Sequence, residues 1–298
     1  MNDTALIGVD WGSSSVRAFR LAQGGTILDV RRADDGVFTG SGPFEARLRR
    51  HLGDWLQLAP AAPLLLCGMI GSDRGWRHAP YSAAPAGLDA LARALLPVPF
   101  ERPARIVPGV SFVAGETCEV MRGEETLLMG IAARPQPPRR LTVCLPGTHS
   151  KWAELDDGRI VAFRTHMTGE LRALVLSRGA LASDALQNAS PEAFRQGLAA
   201  AAGGDPVRAL FQARARRLLG RLGAEHIAAF VSGVLIGAEI AREAPACAAP
   251  LVLAARGALA EEYGDALARA GVAFTVADPE TLAADGLTAL ARAAGLAP

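Results

Sequence analysis

The chain is nearly without lysine. Of its 31 basic residues only Lys151 is a lysine, and the rest are arginine. Acidic residues number 30, so the formal net charge is +1, and no field of one sign is available to recruit nucleic acid or an anionic membrane. Cysteine is scarce as well. Cys67, Cys118, Cys144 and Cys247 stand far apart with no CxxC pair, which argues against a zinc site or a disulfide framework and fits a reducing cytoplasm. No charged leader followed by an apolar core opens the sequence, so no signal peptide is expected. No apolar run of about 18 residues is free of a charge or turn, so no membrane span is expected. The pattern GxxxxGK[ST] occurs nowhere, which excludes a Walker loop.

What remains is a chain of 298 residues, half of them hydrophobic, long enough for two domains with cores of their own. Ala5–Val9, Val16–Leu21 and Thr26–Val30 read as three strands joined by Gly-containing turns. Helical spacing runs from Phe44 to Leu58, and Leu64–Cys67 is a buried strand. Residues 71–103 read as a long Pro-, Gly- and Arg-rich loop with a helix near Leu88–Leu96, and a loop this long is more often functional than idle. A helix is expected over Glu124–Ala133, then the linker run Pro135–Pro138. Three strands follow again, at Leu141–Leu145, Lys151–Leu155 and Arg159–Arg164. Helices are expected over 169–188, 191–202, 206–222 and Leu235–Arg242. Strands are expected at Ile227–Val231, Leu251–Ala254 and Val272–Val276, and helices at Ala258–Ala270 and Glu280–Ala294. This alternation argues for α/β layers.

The pattern repeats. When Val9–Arg17 is set on Cys144–Trp152, Gly12 falls on Gly147, Ser13 on Thr148 and Ser15 on Ser150, each at the first turn of a three-strand meander. A duplicated fold is implied, with a ligand cleft between the halves. In the first copy Asp10, Gly12, Ser13, Ser14 and Arg17 are phosphate candidates. Glycine lets backbone N–H groups approach an anion, hydroxyls add donors, and a strand-end aspartate suits Mg²⁺. A plain polar hairpin is the competing reading. In the second copy Gly147, Thr148, His149 and Lys151 offer N–H groups, a hydroxyl and a cation. Lys151 aligns with Val16, so it faces either the phosphates or the strand's other side.

Taken together, VDWGSSSVRAF, GMIGSDRGWRHAPY, RGEETLLMG, LPGTHSKW, HMTGEL and VSGVLIGAE resemble the 2-keto-3-deoxygalactonate kinases, within the superfamily of sugar kinases, actin and heat-shock chaperones. That resemblance spans nearly the whole chain. It implies two ribonuclease-H-like domains, placed here at 1–119 and 120–298, with ATP and Mg²⁺ between them. It also implies phosphoryl transfer from ATP to the terminal 6-hydroxyl of 2-keto-3-deoxygalactonate. Glu124 is the first choice for the carboxylate base, with Glu125 the runner-up and Asp73 a further competitor; helix capping is the alternative for the glutamates. Ser72, Asp73, Arg74 and Trp76 are candidates for the sugar pocket, with Arg74 or Arg77 as a fork for the carboxylate. Ser232 and Gly233, or Arg256–Leu259, are candidates for the adenine side. Thr168 reads as a helix N-cap, and Gly169 and Glu170 as possible ligand contacts. Asp10 carries the metal, since Leu145 stands where relatives have an acid. The expected partners are a small sugar acid and ATP, with no nucleic acid and no membrane, and a homo-oligomer is left open. The alternatives are a kinase for another sugar acid or an anhydrosugar, and a non-catalytic ATP-binding sensor or activator.

Overall fold

The computed structural model describes residues 3–178, 180–182, 189–247 and 250–297. The chain forms two compact units. Unit 1 comprises residues 1–139, 154–163 and 278–298, and unit 2 comprises 140–153 and 164–277.

In unit 1 the elements are β1 (Thr4–Trp11), β2 (Val16–Ala22), β3 (Ile27–Ala33), α1 (Phe44–Leu52), α2 (Trp55–Leu58), β4 (Leu64–Gly68), β5 (Ser82–Ala83), α3 (Leu88–Arg93), β6 (Leu96–Pro97), β7 (Ala104–Ile106), β8 (Val110–Ala114), β9 (Thr117–Met121) and α4 (Glu124–Ala132). The main sheet runs β3-β2-β1-β4-β7-β6. β1 pairs antiparallel with β2 and parallel with β4, and β4 pairs parallel with β7, so the chain enters as a meander and then crosses over twice. The long helix expected from Phe44 to Leu58 is broken at Gly53, whose φ of 47 ends α1. The sequence pattern gives no assignment for 104–121, which forms β7 and the β8–β9 hairpin. Ile7, Val9, Leu48, Leu52, Trp55, Leu64 and Leu66 pack in the core between sheet and helices.

From Arg140 the elements are β10 (Arg140–Leu145), β11 (Ser150–Asp156), β12 (Arg159–His166), α5 (Thr168–Ser177), α6 (Pro191–Ala201), α7 (Pro206–Leu218), α8 (Ile227–Glu243), β13 (Leu251–Ala254), α9 (Gly257–Arg269) and β14 (Phe274–Ala277), all in unit 2 except residues 154–163 of the β11–β12 hairpin. The last helix, α10 (Pro279–Ala293), returns to unit 1. The second sheet runs β12-β11-β10-β13-β14, with β10, β13 and β14 parallel. Counted within its own sheet this is the order 3-2-1-4-5, which the first sheet also has before its extra β6. The expected duplication of a ribonuclease-H-like meander is therefore present in the topology.

Three expectations need correction. Ile227–Val231 is not a strand but the first turns of α8, and Ser232 and Gly233 lie inside that helix rather than at a strand-to-helix turn. A helix buried on almost every side has no polar stripe, so its apolar run mimics a buried strand. The same helix, with its flanking turns at Ala224–Ala246, contains an 18-residue stretch of mean hydropathy 1.4 and is long and apolar enough to cross a membrane, though no span was expected. Here it is the central helix of unit 2, 67% buried. The boundary at 119/120 also moves. Residues 120–139 and α10 belong to unit 1, and the second unit begins at Arg140, directly after the Pro135–Pro138 run. The helix expected over 169–188 ends at Ser177, and Gly179 and 183–188 lie outside the described residues.

Candidate functional site

In unit 1 the end of β1 delivers Asp10 and the loop after it delivers Gly12 to Ser15. Gly12 N–H donates to Ser15 O at 2.9 Å, closing a tight turn that leaves Ser13 and Ser14 exposed. The segment 36–39 straps this turn from behind. Val37 N–H donates to Gly12 O, Phe38 N–H to Ser13 O, and the Thr39 hydroxyl to Ser14 O. The strap hangs on a buried ion pair. Arg47 donates from Nη2 to Gly36 O at 2.6 Å and to Asp35 Oδ1 at 2.8 Å, with its guanidinium 5.1 Å from the Trp11 ring centroid. Burial works against the Asp35 charge, but hydrogen bonds from Arg47 and His51 prevail and hold its carboxyl below the ordinary range.

Asp10 Oδ2 accepts from Arg17 Nη2 at 2.6 Å across the β1–β2 pair. Burial opposes the Arg17 charge, yet the neighbouring Asp10 outweighs it and keeps the guanidinium protonated. Arg17 is thus first a partner of Asp10. Beside them, Gly68 closes β4 with φ 89. A methyl group there would sit 2.7 Å from Trp11 O and 3.2 Å from Asp10 Oδ1. Gly123 has φ 110, and its methyl position is 3.2 Å from the Gly68 Cα. Three backbones therefore touch at glycines, and the first turn of α4, with Glu124 and Glu125, comes within reach of the Asp10 strand end.

The two glutamates have different surroundings. Glu125 is fully buried, accepting from Gly123 N–H at 2.6 Å and from the Thr126 hydroxyl at 3.1 Å. Burial, reinforced by the charge of Glu124, pushes its carboxyl up to about 8. Glu124 is half-buried and accepts from Arg122 N–H at 3.1 Å. Glu125 thus reaches back to the N–H of Gly123, the N-cap of α4, as a capping glutamate does, while Glu124 takes the N–H one residue earlier.

The sugar-pocket candidates divide. Ser72 is buried, and its hydroxyl has no partner among the described residues. Asp73 is exposed. Arg74 is exposed and lies 4.1 Å from the Phe38 ring centroid, which brings it to the strap behind Ser13. Arg77 is taken by Pro97 O at 2.7 Å. Trp76 meets Phe100 edge-on and packs against the unit 1 core. Sequence reasoning missed Arg122, although it sits inside the quoted RGEETLLMG. Its Nη2 donates to Ala79 O at 2.9 Å, its guanidinium is 4.4 Å from the Tyr81 ring centroid, and its Nε and Nη1 find no partner among the described residues.

In unit 2 the loop Gly147–Ser150 joins β10 to β11. Gly147 and Thr148 line a cavity of about 390 Å³ together with Thr168, Gly169 and Arg172 of α5, Ser232, Leu235 and Ile236 of α8, and Ala258, Leu259, Glu262 and Tyr263 of α9. Gly169 is a glycine for contact, since a methyl group there would lie 2.4 Å from Gly147 O. Thr168 is not an N-cap, a position held by Met167; its hydroxyl instead donates to the buried Glu239. His149 pairs with Glu170 at 2.6 Å on the exposed side. Ser232 accepts from Arg172 Nε at 2.7 Å and stays at the cavity wall. Gly233 faces away from that role, its methyl position 2.0 Å from Phe194 O on α6. Lys151 is corrected too. It is 4% exposed, on the side of β11 opposite Ser150, with Nζ donating to Thr165 Oγ1 at 2.9 Å, so its ammonium is engaged inside the protein.

The profile of the 2-keto-3-deoxy-galactonokinase family matches residues 10–290. The chain is 36% identical over 293 residues to the 2-dehydro-3-deoxygalactonokinase of Escherichia coli (strain K12), covering 96% of this chain and 97% of that one. A crystal structure assigned to a 2-dehydro-3-deoxygalactonokinase protein of Sinorhizobium meliloti superposes with TM-score 0.87 at 34% identity, over 97% of this chain and 98% of that one. Component A of the (R)-2-hydroxyglutaryl-CoA dehydratase of Acidaminococcus fermentans superposes with TM-score 0.51 at 14% identity, over 97% and 98% of the two chains. That likeness bears on the fold alone, which is of the actin-like ATPase type.

Proposed function

The chain belongs to the 2-keto-3-deoxy-galactonokinase family, and from that premise we propose that it transfers the γ-phosphoryl group of ATP to the 6-hydroxyl of 2-keto-3-deoxygalactonate. The observation that carries the mechanism is the glycine contact in unit 1. Gly68 and Gly123 let the first turn of α4 approach the end of β1, so a carboxylate and a phosphate loop share one neighbourhood. Glu124 is the base. It is half-buried, whereas Glu125 is sealed in the interior and engaged by Gly123 and Thr126. Glu124 accepts the hydroxyl proton as the sugar oxygen attacks in line and the γ-phosphoryl leaves ADP.

Ser13 and Ser14 of the first loop offer donors to phosphate oxygens in unit 1, as Gly147 and Thr148 of the second loop do in unit 2. The 390 Å³ cavity of unit 2 takes the nucleoside. Its apolar Leu235, Ile236 and Leu259 suit a base, and its Arg172 and Glu262 supply a donor and an acceptor. Arg74 serves the sugar acid's carboxylate, since it is exposed beside the strap of the first loop.

The reaction calls for Mg²⁺. Among the described residues no group of three or more His, Cys, Asp or Glu side chains forms a cage. Mg²⁺ keeps most of its waters and uses one or two carboxylates plus phosphates. Asp10 is the carboxylate that would hold it, already aligned by Arg17. When bound, the ion neutralises phosphate charge.

The test is Glu124→Gln, with ATP-dependent turnover and binding of a non-hydrolysable ATP analogue measured side by side. Turnover should fall by about 10² or more while analogue binding persists. Retained turnover removes Glu124 from the role. Absence of turnover on any 2-keto-3-deoxy sugar acid by the unaltered enzyme removes the substrate assignment.

A further inference from the structure

Glu239 is a buried carboxylate that the reaction does not use. It lies on α8, 3% exposed, and four donors converge on it. Its Oε1 accepts from the Ser150 hydroxyl at 2.6 Å and from Trp152 Nε1 at 2.8 Å. Its Oε2 accepts from Tyr263 OH at 2.9 Å and from the Thr168 hydroxyl. One turn further along α8, Glu243 shows what an ordinary buried acid here receives. It pairs with Arg164 at 2.7 Å and His166 at 2.9 Å, both from β12. The four donors to Glu239 are instead neutral groups, from three different elements.

Those elements are the walls of the 390 Å³ cavity. Ser150 ends the loop that presents Gly147 and Thr148, Thr168 begins α5, Tyr263 stands on α9, and Glu239 itself is on the fourth wall, α8. Thr168 and Tyr263 also line the cavity. A buried carboxylate left short of donors carries a heavy desolvation cost, so its four bonds hold together or fail together. The dipolar donors of the loop, α5 and α9 are thereby fixed to one point.

We propose that Glu239 is a positioning residue for the nucleotide, tying the second phosphate loop, α5 and α9 to α8 so that the cavity keeps the shape that binds the nucleoside and presents Gly147 and Thr148 to the phosphates. This rests on the placement of the nucleotide proposed above. Charge is not the active property. A glutamine can supply its carbonyl to Ser150 and Trp152, and its amide can donate to the Thr168 and Tyr263 oxygens once those hydroxyls rotate.

The test compares Glu239→Gln, Glu239→Leu and Ser150→Ala in the full chain. The measurements are melting temperature, calorimetric binding of a non-hydrolysable ATP analogue, and the KM for the sugar acid at saturating ATP. Glu239→Gln should bind the analogue within about threefold of the unaltered protein, while a folded Glu239→Leu should bind about tenfold more weakly or worse, the cost of losing one well-placed hydrogen bond or more. The KM for the sugar acid should move less than about twofold in both. Ser150→Ala, which removes one tie without touching the cavity lining, should weaken binding several-fold and serves if the leucine variant does not fold. Unchanged analogue binding in Glu239→Leu or Ser150→Ala overturns the proposal, as does a glutamine variant that fails as badly as the leucine one. If the unaltered protein itself does not bind the analogue, it is the nucleotide assignment that falls.

Discussion

Glu124 and Glu125 are chain neighbours in the same helical turn, yet their chemistry differs because their surroundings do. Glu125 has no exposed surface and takes its proton below about 8, whereas an unfolded glutamate does so near 4.5. The folded state therefore holds one more proton than the unfolded state between these two values. Stability contributed by this group is fully present below pH 4.5 and is lost progressively as pH rises to about 8, with a total on the order of a few kcal/mol. Glu125→Gln keeps an acceptor for Gly123 N–H and a donor for the Thr126 oxygen, and it cannot ionise. The variant should melt with a flatter pH dependence between about 5 and 8 and be more stable than the unaltered protein at pH 8 and above; parallel melting curves across that range would contradict the buried, protonated acid. At this scale the sequence was partly legible. The pair of acids in RGEET marked the place, and Gly123 and Thr126 are its chain neighbours, but which acid faces inward also depends on Cys67, which is distant in sequence. The four donors on Glu239 were hidden for the same reason, since Ser150 and Glu239 are 89 positions apart.

At the scale of elements, the close approaches are made by glycines, and they carry the site. Gly123 combines a φ of 110 with a methyl position 3.2 Å from the Gly68 Cα, so a side chain there meets both backbone strain and a neighbour. Gly123→Ala should cost about 1–3 kcal/mol and shift the α4 turn away from β4. The expected result is a fall in kcat of at least about tenfold with ATP-analogue affinity within about twofold, because the cavity walls of unit 2 are untouched. Gly115→Ala is the control. Its φ is 59, in the β8–β9 turn, and a methyl group there meets nothing within 4 Å, so it should lose stability without losing kcat. If both variants keep kcat, the glycine contact does not set the base. Elements with a clear period or a turn residue were readable from the sequence: both meanders, α9, and α10 lie within a few residues of expectation. Of α8 only the second half, expected at Leu235–Arg242, was readable; in the first half Ile227, Ala228, Ala229, Phe230, Val231 and Val234 are buried all round and leave no polar face to give the 3.6-residue period. The role of Gly169 in HMTGEL was legible only as a question, answered by the Gly147 carbonyl 2.4 Å from its methyl position.

At the scale of the whole molecule, unit 1 is assembled from three stretches of chain, and the last of them supports the proposed base. α10 crosses α4 where two glycines face backbone. A methyl group at Gly130 would lie 2.2 Å from Leu282 O, and one at Gly286 would lie 1.9 Å from Thr126 O. Leu282, Leu287 and Leu290 of α10 are completely buried, and Leu287 also reaches the methyl position of Gly8 on β1. No local signal announces such a return, since a helix reads the same whichever sheet it will cover. That is why a boundary drawn from the sequence repeat put α10 with the second half. The consequence is testable. Each buried leucine contributes about 1.5–3 kcal/mol, and removing α10 also uncovers the apolar surface of α4 and β1, which together approach the whole stability of an ordinary domain, about 5–15 kcal/mol. A chain ending at Ala277 should therefore lose the tertiary near-UV circular dichroism of unit 1, exchange the amides of β1 and α4 rapidly, and show no turnover, although every residue assigned to phosphate, sugar and base is still present. The hydrogen-exchange pattern is the decisive measurement. Protection retained in β13 and β14 with protection lost in β1 and α4 would show that α10 stabilises unit 1 in particular. An active, fully protected 1–277 chain would mean that the support for Glu124 lies elsewhere in the chain.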